Sequence, residues 1–121
     1  VAEKLLAEWF WTDRWTGSSA FLLPLEARGL YREMLTQAWR RGAQLPTDPE
    51  TIRRAIAGTE IEWERSWPLV RPYWHSTEDG VLVNDTQLAI FTETQARAVT
   101  NKAKAINAAR ARWGGRGNGR A

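Results

Sequence analysis

The chain of 121 residues contains no cysteine, one methionine and one histidine. Without cysteine, disulfides and thiolate metal sites are excluded, and a reducing cytoplasm is the expected setting. His75 has no second histidine to share a metal and no thiol to activate, so a structural role is expected for it. No phosphate-loop spacing of the GxxxxGK type occurs. No apolar run is long enough to span a membrane, and no signal-peptide pattern opens the chain. These absences argue against an enzyme and leave no cofactor or metal to expect. Acidic residues are missing from one end only. Residues 1–94 carry ten Lys/Arg against fourteen Asp/Glu, whereas residues 95–121 carry seven Lys/Arg and no acid. That asymmetry points to a basic arm that meets a polyanion, nucleic acid first. The plain alternative is a solvated helix end whose cations suit the dipole.

What is present is aromatic bulk. Eight tryptophans give a one-domain chain much area to bury, so packing is the first reading of most of them. The centre of the chain is a helix after Pro24, in which Ala27, Leu30, Tyr31, Met34, Leu35, Ala38 and Trp39 recur at helical spacing. Arg40-Arg41-Gly42 ends it. Gly29 lies inside, where close packing against it is expected. Leu45-Pro46 leads to Asp48-Pro49-Glu50, a cap, a first-turn proline and a dipole-matched acid. Ile52, Ala55 and Ile56 form the inner face of that short helix, with Arg53 and Arg54 outward and Gly58 stopping it. Thr59 and Glu62 make a capping box for the next helix, whose stripe is Trp63, Trp67, Val70 and Trp74. Pro68 kinks or ends it.

Two β-prone runs, Tyr73–Ser76 and Val81–Asn84, flank an Asp79-Gly80 turn and predict a hairpin. Asn84 or Asp85 caps a last helix with a stripe through Leu88, Phe91, Gln95, Val99, Ala103, Ile106, Ala109 and Trp113. Its far half docks elsewhere, pairs with a partner helix, or frays. The glycines from Gly114 onward end it as a flexible linker. At the other end, residues 2–10 suit a helical turn and Trp9-Phe10-Trp11 a brief edge strand. A loop is expected at Asp13 and at Thr16–Ser19. Phe10, Trp11 and Trp15 are expected to pack on the helix after Pro24.

Taken in order, these features resemble the YdaU-type domain of unknown function at the N-terminus of phage and prophage replication-initiation proteins. The resemblance rests on Phe10, Asp13 and Trp15; Gly29-Leu30-Tyr31 and Leu35; Trp39, Gly42, Leu45 and Pro46; Gly58 and Trp63; and Asp79-Gly80 with Asn84. The run Ala108-Ala109-Arg110-Ala111-Arg112-Trp113 completes it. Pro24 departs from the polar cap usual in the family. The resemblance implies a winged-helix-like fold, a role near phage DNA replication, replication proteins as partners and no established catalytic residues. Family members often continue past the Ala/Arg-rich helix, which implies a domain of a longer initiator.

The expected fold is therefore α+β: mainly helical and winged-helix-like, a helix-turn-helix plus a β-hairpin, with a long C-terminal helix. Residues 1–95 would form the domain, and 96–121 a basic helix extension with a Gly/Arg tail. The usual recognition helix would present Glu60, Glu62 and Glu64, and the hairpin tip Glu78 and Asp79, which phosphates repel. The cations expected to meet nucleic acid are thus Arg53, Arg54, Arg97, Lys102, Lys104, Arg110, Arg112, Arg116 and Arg120. The rival reading is a protein-interaction module. It would use the acidic winged-helix face or a homodimer seam of Val99, Ile106 and Trp113 at a spacing of seven, bordered by Lys102 and Arg110.

Overall fold

The computed structural model describes residues 7, 8 and 12–120, and side chains as far as Trp113. The expectations for residues 2–6 and for Trp9, Phe10 and Trp11 lie outside the described residues. The fold is mostly helical with a small antiparallel sheet, an α+β arrangement that closes with a long C-terminal helix. Its elements are α1 (Thr12–Thr16), α2 (Leu25–Arg40), β1 (Leu45–Pro46), α3 (Pro49–Ala55), α4 (Glu60–Val70), β2 (His75–Ser76), β3 (Val81–Val83) and α5 (Asp85–Arg120). The chain divides into two compact units, Val1–Phe91 and Thr92–Ala121.

In the first unit α2 is the spine. Its seven buried residues are Ala27, Leu30, Tyr31, Met34, Leu35, Ala38 and Trp39, the face that the helical period marks out. Ile52 from α3, Val70 and Trp74 from the α4 end, and Leu45 and Leu82 from the sheet fill the same core. Trp15 stacks on Tyr31 with ring centres 5.6 Å apart, and Trp63 stacks on Trp67 at 4.7 Å. Trp39 meets Phe91, in the first turns of α5, edge-on at 4.9 Å.

The turns follow from local chemistry. At the end of α2 the Gly42 N–H donates to Trp39 O at 3.2 Å and the Ala43 N–H to Ala38 O at 2.8 Å. This is a Schellman motif with Gly42 at φ +80°. The same pair of bonds closes α3, from Ala57 N–H to Arg54 O and Gly58 N–H to Arg53 O, both 3.1 Å. There the left-handed residue is Ala57, at φ +56°, and not the expected Gly58. Asp48 accepts from the Thr51 N–H at 3.2 Å and caps α3 behind Pro49. The capping box of α4 is complete: Thr59 Oγ1 accepts from the Glu62 N–H at 3.2 Å, and Glu62 Oε1 accepts from the Thr59 N–H at 3.1 Å. α4 passes through Pro68, ends at Val70 and tightens into a 3-10 turn over Arg71–Tyr73.

The hairpin forms as the Asp-Gly turn predicts, with Gly80 at φ +76° and the Thr77 N–H on Val81 O at 2.8 Å. Its outer edge carries a strand that local pattern does not reveal. Leu45 pairs with Leu82 and Pro46 with Val81, so the sheet order is β1-β3-β2. Three further expectations are corrected. Asp13 and Thr16 lie in α1, only Gly17 and Ser18 form the turn, and Ser19 opens a 3-10 helix that runs to Leu22. Nothing lies within 4 Å of the place a Cβ would take on Gly29, so no close approach explains that glycine. The helical backbone of α5 runs to Arg120 and does not stop at Gly114. Glycine costs about 1 kcal/mol against alanine inside a helix but keeps its N–H, and no proline is there to interrupt the ladder.

A buried polar knot anchors the start of α5. Asn84 caps the helix, its Oδ1 accepting from the Gln87 N–H at 3.0 Å. Its Nδ2 donates to the Tyr31 hydroxyl at 2.9 Å and to Tyr73 O at 3.0 Å. Gln87 Nε2 donates to Leu35 O at 2.6 Å and to Glu8 at 3.1 Å. Burial pushes the Tyr31 phenol above its ordinary value, an effect partly offset by the bond from Asn84.

Candidate nucleic-acid interface

The cations of the first unit are mostly engaged. Arg53 was expected to point outward, but its side chain is only 16 % exposed. Its Nε donates to Glu50 at 2.9 Å and its Nη1 to Gly58 O at 2.7 Å. The physical reason is the turn after α3, which brings the Gly58 carbonyl within reach of a side chain already drawn to Glu50. Arg54 is 75 % exposed and also reaches Glu50, at 3.1 Å. Between them they hold the Glu50 carboxyl at a pKa of about 2, with the Arg53 hydrogen bond the larger cause. Arg65 makes a two-pronged pair with Glu26, at 3.0 and 2.9 Å. Arg40 and Arg41 are exposed, with no ion pair among the described residues.

The second unit differs. Arg97 pairs with Glu93 one turn back. Beyond it, Lys102, Lys104, Arg110 and Arg112 are exposed on α5 and make no ion pair among the described residues. At 100° per residue, Arg97, Lys104 and Arg112 share one side of the helix, and Val99 and Ile106 the other. Arg116 and Arg120 continue the same helical backbone, their side chains outside the described residues. The cation set is therefore split between the units: Arg53 and Arg54 in the first, the other seven in the second.

The face of α4 turned from the core carries a different chemistry. Glu60 and Glu64 are exposed there, and Glu62 is held below the usual carboxylate range by its bonds from Thr59. Ile61 is 64 % exposed on the same side, and Leu69 is exposed two turns on. These apolar residues escape a reading that looks for charge. The helical period finds Ile61, which falls opposite Trp63, Ser66 and Val70, whereas Leu69 sits about 100° round from Val70, at the edge of the buried side. His75 Nδ1 stands 3.3 Å from Asp85 Oδ1 in an exposed setting. Among the described residues no group of three His, Cys, Asp or Glu is placed to hold a metal, and no helix is long and apolar enough to cross a membrane.

No protein-family model, curated protein or solved structure matches the chain.

Proposed function

We propose that this chain is a non-enzymatic, cytoplasmic DNA-binding domain of winged-helix-like architecture that grips the nucleic-acid backbone through the cations of α5. The observation that carries the reading is the exposed set Lys102, Lys104, Arg110 and Arg112, on a stretch with no acid after Glu93. Unpaired cations on a regular helix can displace condensed counterions from phosphates, whereas Arg53, Arg54 and Arg65 already face carboxylates. The order α2, β1, α3, α4, β2, β3, with sheet order β1-β3-β2, supports the winged-helix part. The acidic outer side of α4 argues against docking by the usual recognition helix. The resemblance to the YdaU-type domain supports a place in phage replication initiation.

The test is a titration of the whole chain against duplex and single-stranded DNA, beside a variant with Lys102, Lys104, Arg110 and Arg112 changed to Gln. The variant is expected to lose most of the affinity while keeping its helical signal. Equal affinity for chain and variant would remove α5 from the account.

The second reading, a protein-interaction module, is favoured by one observation, the exposed Ile61 and Leu69 among acids on α4.

A further inference from the structure

We propose that the outer face of α4 in one copy of the chain receives the apolar side of α5 from a second copy, so that copies join head to tail. On α4, Ile61 is exposed on the side turned from the core with Glu60 and Glu64 beside it, and Leu69 is exposed two turns on, with Arg65 between the two and held by Glu26. Leu25, also largely exposed, precedes Glu26, whose carboxylate is bound by Arg65 of α4. This face is apolar at its two ends, its one cation is already paired, and Glu60 and Glu64 leave it acidic. On α5, Val99 and Ile106 are 56 % and 46 % exposed, with Lys102 and Arg110 beside them. That face is apolar with a basic rim. Ile61 to Leu69 spans about 12 Å and Val99 to Ile106 about 10.5 Å at 1.5 Å per residue, so the two apolar spans match in length.

Charge decides the occupant. Two α5 helices set side by side would place Lys102 and Arg110 of one copy against those of the other. Residues 95–121 hold no acid to relieve them. Against α4 the same cations meet Glu60 and Glu64. The joined patches differ from each other, so the contact is heterologous and builds a ring or an open chain. Arg97, Lys104 and Arg112 lie on the opposite side of α5, so the contact leaves them in solvent and does not rest on the DNA reading.

The experiment measures the mass of the full chain by sedimentation velocity without DNA, over a concentration series and at low and high salt. The mass is expected to rise with concentration, and less at high salt. Ile61→Lys and Ile106→Asp each alter an exposed side chain, and far-UV circular dichroism checks that both fold. Each variant alone is expected to associate about tenfold or more weakly. Mixed one to one, the two variants are expected to form a dimer and stop there, because the mixture holds one intact α4 face and one intact α5 face. A full chain that stays monomeric throughout overturns the proposal. So does a mixture that stays monomeric, or a loss with Ile106→Asp and none with Ile61→Lys, which is the result of α5 pairing with itself.

Discussion

The two units of this chain handle charge in opposite ways. In Val1–Phe91, Arg53 and Arg54 close on Glu50 and Arg65 closes on Glu26, so these cations bind the fold together, while Arg40 and Arg41 make no ion pair among the described residues. Among the described residues of Thr92–Ala121, the pair of Glu93 with Arg97 is followed by a run of cations, and no acid follows Glu93 in the sequence. α5 contributes to both units and shows both behaviours. Its first turns bury Gln87 and Phe91, while Lys102, Lys104, Arg110 and Arg112 face solvent. A cation with a carboxylate partner is already part of the structure. A cation without one is available to a polyanion. Net charge alone would not separate these cases, because it counts Arg53 and Lys104 alike.

The largest effect on this contrast is expected from Asn84→Ala. It removes the cap of α5 and leaves the Tyr31 hydroxyl and Tyr73 carbonyl without their donor. A lost cap costs about 1 kcal/mol, and the one fully buried group left unsatisfied, the Tyr31 hydroxyl, about 1–3 kcal/mol. A loss of roughly 2–4 kcal/mol in urea unfolding is expected. A change under about 0.5 kcal/mol, the range of ordinary surface substitutions, would mean that the knot does not hold the first turns of α5, residues 85–91, in the core.

A smaller change of opposite sign is expected at Ala57. Its left-handed φ of +56° is a position where a Cβ costs about 1 kcal/mol and glycine costs nothing. Ala57→Gly should raise the unfolding midpoint. A drop would show that the α3 turn relaxes to another conformation.

The smallest effect concerns acid. Glu50 has a folded pKa of about 2 against an ordinary 4.5, so the folded state binds fewer protons between those values. The contribution is present above pH 4.5 and is lost as pH falls toward 2. Glu50 is exposed, so the contribution is modest. The stability gap between the native chain and Glu50→Gln should narrow on acidification. A gap that stays constant would mean that the Arg53 and Arg54 pairs do not contribute to stability.

What the sequence reveals here is what short-range rules decide. The buried face of α2, the Thr59–Glu62 box, the Asp48-Pro49 start and the Asp79-Gly80 turn each depend on residues a few positions apart, and each forms as read. What it conceals depends on partners far away or on competition between neighbours. β1 is two residues long and exists because Leu82 and Val81 pair with it across the chain. Ala57 takes the left-handed position although Gly58 stands next to it, since the Schellman bonds fix where the helix must close. Arg53 turns inward because, beside the Glu50 pair that the i, i+3 spacing gives, the Gly58 carbonyl lies in reach, which helical spacing does not report. In the candidate interface, the positions of Lys102, Lys104, Arg110 and Arg112 follow from the helical period. The pairing of Arg97 with Glu93 follows from the i, i+4 rule.

The measurement that tests the central claim most directly is the salt dependence of DNA binding by the intact chain. With four unpaired cations engaged, log affinity should fall against log salt with a slope of about −3.6 on duplex DNA, or about −2.8 on a single strand. Changing Lys102, Lys104, Arg110 and Arg112 to Gln should flatten it markedly. A slope near zero for the intact chain, or an equal slope for the variant, would contradict the account.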